Sequence, residues 1–121
     1  MEKSKECIIE DNKSIAEFME YERNKMEYFI FQHGYFDFNG QWIDKFHKKD
    51  LEFHKSWDWL MPVVQKINNN LINDLSYEVT ISPSETTILE KNLTVGPIIY
   101  GDDIFDNTYK AIIEFIEFYY H

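Results

Sequence analysis

Between Ser56 and Leu71, apolar residues fall at spacings of three and four: Trp57, Leu60, Met61, Val64, Ile67 and Leu71. That period lines them along one face of a helix. Ser56 suits the N-cap, since its hydroxyl can accept from a first-turn N–H, and Asp58 suits the positive end of the helix dipole. Pro62 interrupts, because a proline past the first turn removes a backbone bond and clashes with the carbonyl four residues back. Two readings follow: a helix starting near Leu60 with Pro62 in its first turn, or one helix kinked at Pro62. The stripe crosses the proline without a phase break, so a single helix over 56 to about 72 is expected.

Elsewhere the period alternates between helix and strand. Residues 1–11 are mostly charged, with a short apolar interruption at Cys7, Ile8 and Ile9, and are expected to fray as an extension or to dock that triplet on the core. Asn12 or Ser14 then caps a first helix, Ser14 and Glu17 having capping-box spacing. Its buried face is Ile15, Phe18 and Met19, and it ends near Asn24. Tyr28 to Phe31 and Tyr35 to Phe38 read as strands punctuated by His33-Gly34, and Asn39-Gly40 is a strong hairpin signal. A hairpin or small meander is expected over 27–43, returning through Gln41-Trp42-Ile43. Asp44 to Lys55 reads as a charged connector, locally basic through Lys45, Lys48, Lys49 and Lys55.

Tyr77, Val79 and Ile81 alternate with polar residues up to Ser82-Pro83, which gives a half-buried strand. Thr86 to Glu90 and Ile98 to Tyr100 are further strands, with Thr94-Val95 a weaker candidate. A last helix is expected from Asp106 to Tyr120, with Tyr109, Ile112, Ile113, Ile116, Tyr119 and Tyr120 facing in. The order helix, strands, helix, strands, helix predicts an α+β fold. It is read as one domain, 1–121, with three helices layered on a small, mostly antiparallel sheet in an α/β/α-type sandwich.

Composition adds a ring-rich core, since aromatics make up 17% of the 121 residues. Cys7 is the single cysteine, which excludes an intrachain disulfide and fits a reducing compartment. No apolar run reaches the length of a membrane helix, and the charged start is no signal peptide, so a soluble cytoplasmic protein is expected. Net charge is −10, from 22 acids against 12 bases. Such a surface repels nucleic acid. The charge serves ordinary solubility, or it complements a basic partner such as a nucleic-acid-binding protein.

Candidate chemistry is sparse. His47 and His54 with Asp44, Asp50 and Glu52 form a metal-like group, but their spacing matches no standard zinc arrangement, and solvated loop histidines are the simpler reading. No cofactor or metal is expected. Asp102-Asp103 precedes a helix, where capping explains it. No nucleophile motif accompanies either histidine, and the four glycines form no phosphate loop. Aromatic residues are the better lead. Trp59 and Phe118 sit off the predicted stripes, where an apolar side chain marks either an interface or a ring covered by another layer. With Trp42, Lys45, Lys48 and Lys49 they make the candidate partner-binding set.

Three stretches, Asn12 to Met19 (NKSIAEFM), Phe53 to Val64 (FHKSWDWLMPVV) and Tyr109 to Ile116 (YKAIIEFI), resemble blocks in small proteins of Bacteroidota phages and prophages. The layout is similar to the phage ABA-sandwich domain, whose activity is unknown. The blocks cover about a quarter of the chain, and SWDWLMPVV is the specific one. The chain departs from the usual members in its first residues, its aromatic 26–43 insert and its basic connector. The family offers no catalytic residues to carry over. The resemblance implies a mobile-element accessory protein inside a bacterial host. Joined to the charge, it implies a non-enzymatic inhibitor of a host defence effector, such as an RNA-guided CRISPR nuclease or its RNA complex. The alternative is a phage structural or replication accessory protein that self-associates through its last helix.

Overall fold

Ser4 opens the first helix. Its Oγ accepts from the Cys7 N–H at 3.3 Å, and α1 runs Lys5–Phe18. The computed structural model describes residues 4–20, 28–36, 42–47 and 50–120, the stretches 28–36 and 42–47 by their backbone alone. α1 therefore starts two turns before the expected caps, and most of the supposed extension is helix. Ser14 does not break it, because its hydroxyl donates to the Glu10 carbonyl at 3.1 Å, one turn back. Asn12, the other expected cap, is buried mid-helix and donates its Nδ2 to the Leu51 carbonyl at 3.0 Å. The helix stops short of Asn24 because Glu20 turns into the left-handed region at φ +60°. Ile15 and Phe18 are buried as expected, joined by Ala16, while Met19 is half-buried.

α1 belongs to the first of two compact units, residues 1–51, and the second unit spans 52–121. The first unit also holds an antiparallel pair, β1 (Tyr28–Phe36) and β2 (Trp42–His47). This is the expected hairpin, with Asn39-Gly40 outside the described residues. Pairing slips between Ile30↔Lys45 and Tyr35↔Ile43, so β1 carries extra residues around His33-Gly34. β2 continues to His47, which makes Asp44 to His47 strand rather than connector. The ladder to Tyr28, Phe29 and Ile30 overrides their polar composition.

In the second unit α2 is Trp57–Asn69, β3 Tyr77–Ile81, β4 Glu85–Glu90, β5 Ile98–Tyr100 and α3 Ile104–Tyr119. The strands form an antiparallel sheet in the order β3-β4-β5, so β3 and β5 are its edges. Thr94-Val95, the weaker strand candidate, lies in the turn between β4 and β5. Register sets the faces. Tyr77 opposes Glu90, Val79 opposes Ile88, and Ile81 opposes Thr86, which puts these six side chains on one side.

α3 lies on that side. Thr108 meets Thr86 at 3.0 Å, and Phe115 meets the Tyr77 ring edge-on at 4.8 Å. α2 runs beside β3, where Asn68 Oδ1 accepts from the Val79 N–H at 2.8 Å and occupies an edge donor. The other face exposes Glu78, Thr80, Ile98 and Tyr100. The α+β class predicted from element order holds, and in this unit both helices share one layer over the sheet. Its core is Phe53, Leu60, Val63, Ile67, Ile88, Ile112 and Phe115, all fully buried. Each large side chain contributes roughly 1.5–3 kcal/mol of transfer free energy.

α2 passes through Pro62 as one helix, as the unbroken stripe implies, and ends at Asn69 rather than near 72. Ser56 holds the N-cap position, but its side chain makes no capping bond. The buried face is turned from the predicted one: Trp59, Leu60, Val63, Val64 and Ile67 are in, and Trp57, Met61 and Leu71 are exposed. Apolar residues surround most of this helix between Trp57 and Val64, so periodicity alone does not choose the phase. Phe53 settles it, taking Trp59 edge-on at 5.1 Å.

Candidate functional site

Two turns and the end of α3 meet at one end of the second unit. The first is Ile72-Asn73-Asp74-Leu75, closed by reciprocal backbone bonds of 2.9 and 3.0 Å between Ile72 and Leu75. Asn73 and Asp74 both have positive φ, +52° and +66°, the pattern of a type I′ turn that Asn and Asp accept. Asn73 Nδ2 reaches on to the carbonyls of Tyr119 at 3.0 Å and Tyr120 at 2.9 Å. It thereby satisfies carbonyls that the last turn of α3 leaves without helical partners.

The second turn, Lys91 to Val95, joins β4 to β5. Lys91 N–H bonds the Ser76 carbonyl at 2.9 Å, which places it beside the start of β3. Glu90 is buried, and its carboxylate accepts from the backbone N–H groups of Asn92 and Leu93. A buried carboxylate needs such donors, and here they fix the turn. Gly96 completes it: a Cβ there would overlap the backbone of Ile88, so no other residue fits.

These supports hold apolar side chains in water. Leu75, Leu93 and Val95 are exposed on the turns, Leu71 two residues past the end of α2, and Phe118 on α3 at 70% exposure. Phe118 was expected off the core face, and it is. Charged residues flank these side chains, Glu117 on α3, Asp74 on the first turn and Lys91 on the second, all exposed. Tyr77 lies under this end, ringed by Phe115 and Tyr119. Burial, then the Glu90 carboxylate, pushes its phenol up from 10.0.

The other predicted residues do not join Phe118 here. Trp59 is buried at 7% exposure, which corrects its reading as an exposed anchor: of the two outcomes open for it, the covered ring is the one found. Ala111 and Phe115, which are outside the expected stripe of the last helix, are fully buried, because α3 is enclosed around most of its girth. Trp42 and Lys45 fall in β2, where only the backbone is described, and Lys48 and Lys49 lie outside the described residues. Leu71, Leu75, Leu93 and Val95 went unread as a group, since they come from three separate segments. Asn73-Asp74 between two apolar residues was the available signal, a hairpin dipeptide that places one of those segments.

His54 is half-buried, its ring 6.5 Å from that of Tyr109. Burial, then the Lys55 ammonium, lowers its pKa, and Glu52 opposes them. Among the described residues no group of three His, Cys, Asp or Glu side chains is gathered to hold a metal. Asp103 caps α3, accepting from the Asp106 N–H at 3.0 Å, as the acidic pair before that helix implied. No described helix is long and apolar enough to cross a membrane. Compared with family models, curated proteins and solved structures, the chain matches none.

Proposed function

We propose that the chain works by binding rather than by catalysis, as an acidic accessory protein that seats on a basic, nucleic-acid-binding protein of a bacterial host and blocks it. The observation that carries this is Phe118, 70% exposed on a chain of net charge −10. An exposed ring supplies an anchor for a hot spot, and the surrounding charge steers it to a basic surface. An RNA-guided nuclease, with its positively charged RNA channel, is the partner class that meets both requirements. The resemblance to phage proteins supports the same partner.

Cleavage assays with a panel of RNA-guided nucleases from Bacteroidota test it. Stoichiometric inhibition that weakens with salt is expected. Phe118→Asp should weaken it by about tenfold or more at unchanged melting temperature. Failure to bind or inhibit any member of the panel sinks the reading. Phe118 also supports a second one, self-association through α3, which a monomer in light scattering at high concentration would exclude.

A further inference from the structure

The edges of the three-stranded sheet are treated differently. At β3 the Val79 N–H is taken by Asn68. At β5 the Ile88 N–H bonds the Pro97 carbonyl at 3.0 Å, and the Gly101 N–H bonds the Ser84 carbonyl at 3.0 Å. Pro97 and Gly101 therefore turn their backbone groups toward β4, and with the register Thr86↔Ile99 so does Ile99. By the alternation of an antiparallel ladder, Ile98 and Tyr100 turn theirs outward. No hydrogen bond reaches either residue's outward groups among the described residues. Their side chains are exposed too, Ile98 at 46% and Tyr100 at 73%. Proteins ordinarily blunt an edge with lysine, proline or a covering element. This edge is three residues long and follows Pro97, but the two residues that turn outward are an isoleucine and a tyrosine.

The surrounding charge is of one sign. Tyr100 stands opposite Glu85 in the ladder, and Asp102 and Asp103 follow it, both exposed. The paired positions of this face, Glu78↔Leu89, Thr80↔Thr87 and Glu85↔Tyr100, hold two acids and no lysine or arginine. We infer that β5 is a docking edge for an extended basic peptide segment of a partner, added as a fourth strand beside Ile98–Tyr100. Backbone groups of the incoming strand pair with Ile98 and Tyr100, its apolar side chains lie on theirs, and its lysines or arginines meet Asp102, Asp103 and Glu85. A second copy of the chain is disfavoured as occupant, since it would bring the same acids and another −10 of charge to the edge. The inference goes beyond the proposed function, because the edge accepts such a strand whichever protein supplies it.

The test titrates the full chain with a labelled peptide of about nine residues alternating valine and lysine, a length that spans the edge. A control of equal charge has proline at alternate positions and lacks the N–H groups for pairing. The alternating peptide should bind about tenfold more tightly than the proline peptide. It should also slow amide hydrogen exchange at Ile98 and Tyr100. Ile98→Pro should weaken binding about tenfold with little change in melting temperature, because the N–H it removes makes no internal bond. If circular dichroism shows that variant unfolded, Tyr100→Lys replaces it and should weaken binding similarly. Equal affinity for the two peptides, or binding with no protection at the two amides, overturns the inference. So does a dimer in sedimentation that Ile98→Pro abolishes, since the edge is then filled by a second copy. Peptide binding without nuclease inhibition would leave this inference standing and remove the nuclease reading alone.

Discussion

Asn107 donates its Nδ2 to the Gly101 carbonyl at 2.9 Å, spanning the turn that leads β5 into α3. Asn107 is buried, and a Cβ on Gly101 would overlap its Oδ1. The glycine is required by the amide that holds it. Gly101→Ala should destabilise the fold by about 1–3 kcal/mol through overpacking, and Asn107→Ala by about 1–2 kcal/mol through the lost bond and the unpaired carbonyl. The double variant should cost less than the sum, because the small residue at 107 makes room for the new methyl. Urea unfolding of the three variants measures this, and strict additivity would refute it.

The buried hydroxyl pair Thr86 and Thr108, 3.0 Å apart, has a direction. Thr108 Oγ1 also donates to the Ile104 carbonyl at 2.9 Å, which uses its single proton. Thr86 must therefore be the donor between the two. Thr108→Val leaves the Thr86 O–H without an acceptor in the core, at about 2 kcal/mol. Thr86→Val removes one bond but leaves Thr108 donating, at about 1 kcal/mol. Equal costs, or the reverse order, would show that the assignment is wrong.

These contacts lie where the sequence was most legible. Alternation from Tyr77 to Ile81 with the stop at Ser82-Pro83 marks β3, and Thr86 to Glu90 and Ile98 to Tyr100 match β4 and β5 almost to the residue, because burial alternates along each strand. Helices were harder to phase. Around Trp59 and Phe115 apolar residues wrap most of the helix, and only packing on Phe53 and Tyr77 chooses what is buried. Ser4 was missed as a cap because Ser14 offered a better motif, one that its bond to Glu10 absorbs inside α1. Of the candidate site, Phe118 was readable from its place opposite the stripe. Leu75, Leu93 and Val95 were not, since turn geometry rather than periodicity brings them to one end.

Two residues at positive φ should respond oppositely to glycine. Thr94, at φ +53°, is a β-branched residue in the left-handed region, and its hydroxyl bonds only the neighbouring Leu93 carbonyl. Thr94→Gly should stabilise by about 0.5–1 kcal/mol, the relief of that conformation less the backbone entropy of glycine. Asn73, at φ +52°, is also relieved by glycine but loses both bonds to the end of α3. Asn73→Gly should destabilise by about 1 kcal/mol and loosen Tyr119 and Tyr120. Denaturant midpoints for the pair are the measurement, and two shifts of the same sign would contradict it.

Stability should fall at both ends of the pH scale for two identifiable reasons. His54 has a pKa below the ordinary 6.5, through burial first and Lys55 second. The unfolded chain therefore takes up the proton first as pH drops. Its contribution is complete above about 6.5 and is lost as pH falls through the lower, folded value. Tyr77 has a pKa above 10.0, through burial first and the Glu90 carboxylate second. There the unfolded chain releases its proton first, so the contribution is complete below about 10 and is lost as pH rises through the folded value. Unfolding free energy followed from pH 5 to 11 should show both limbs. His54→Gln should flatten the acid limb alone and Tyr77→Phe the alkaline limb alone. Variants whose pH profiles run parallel to that of the native chain would remove these two groups as the cause.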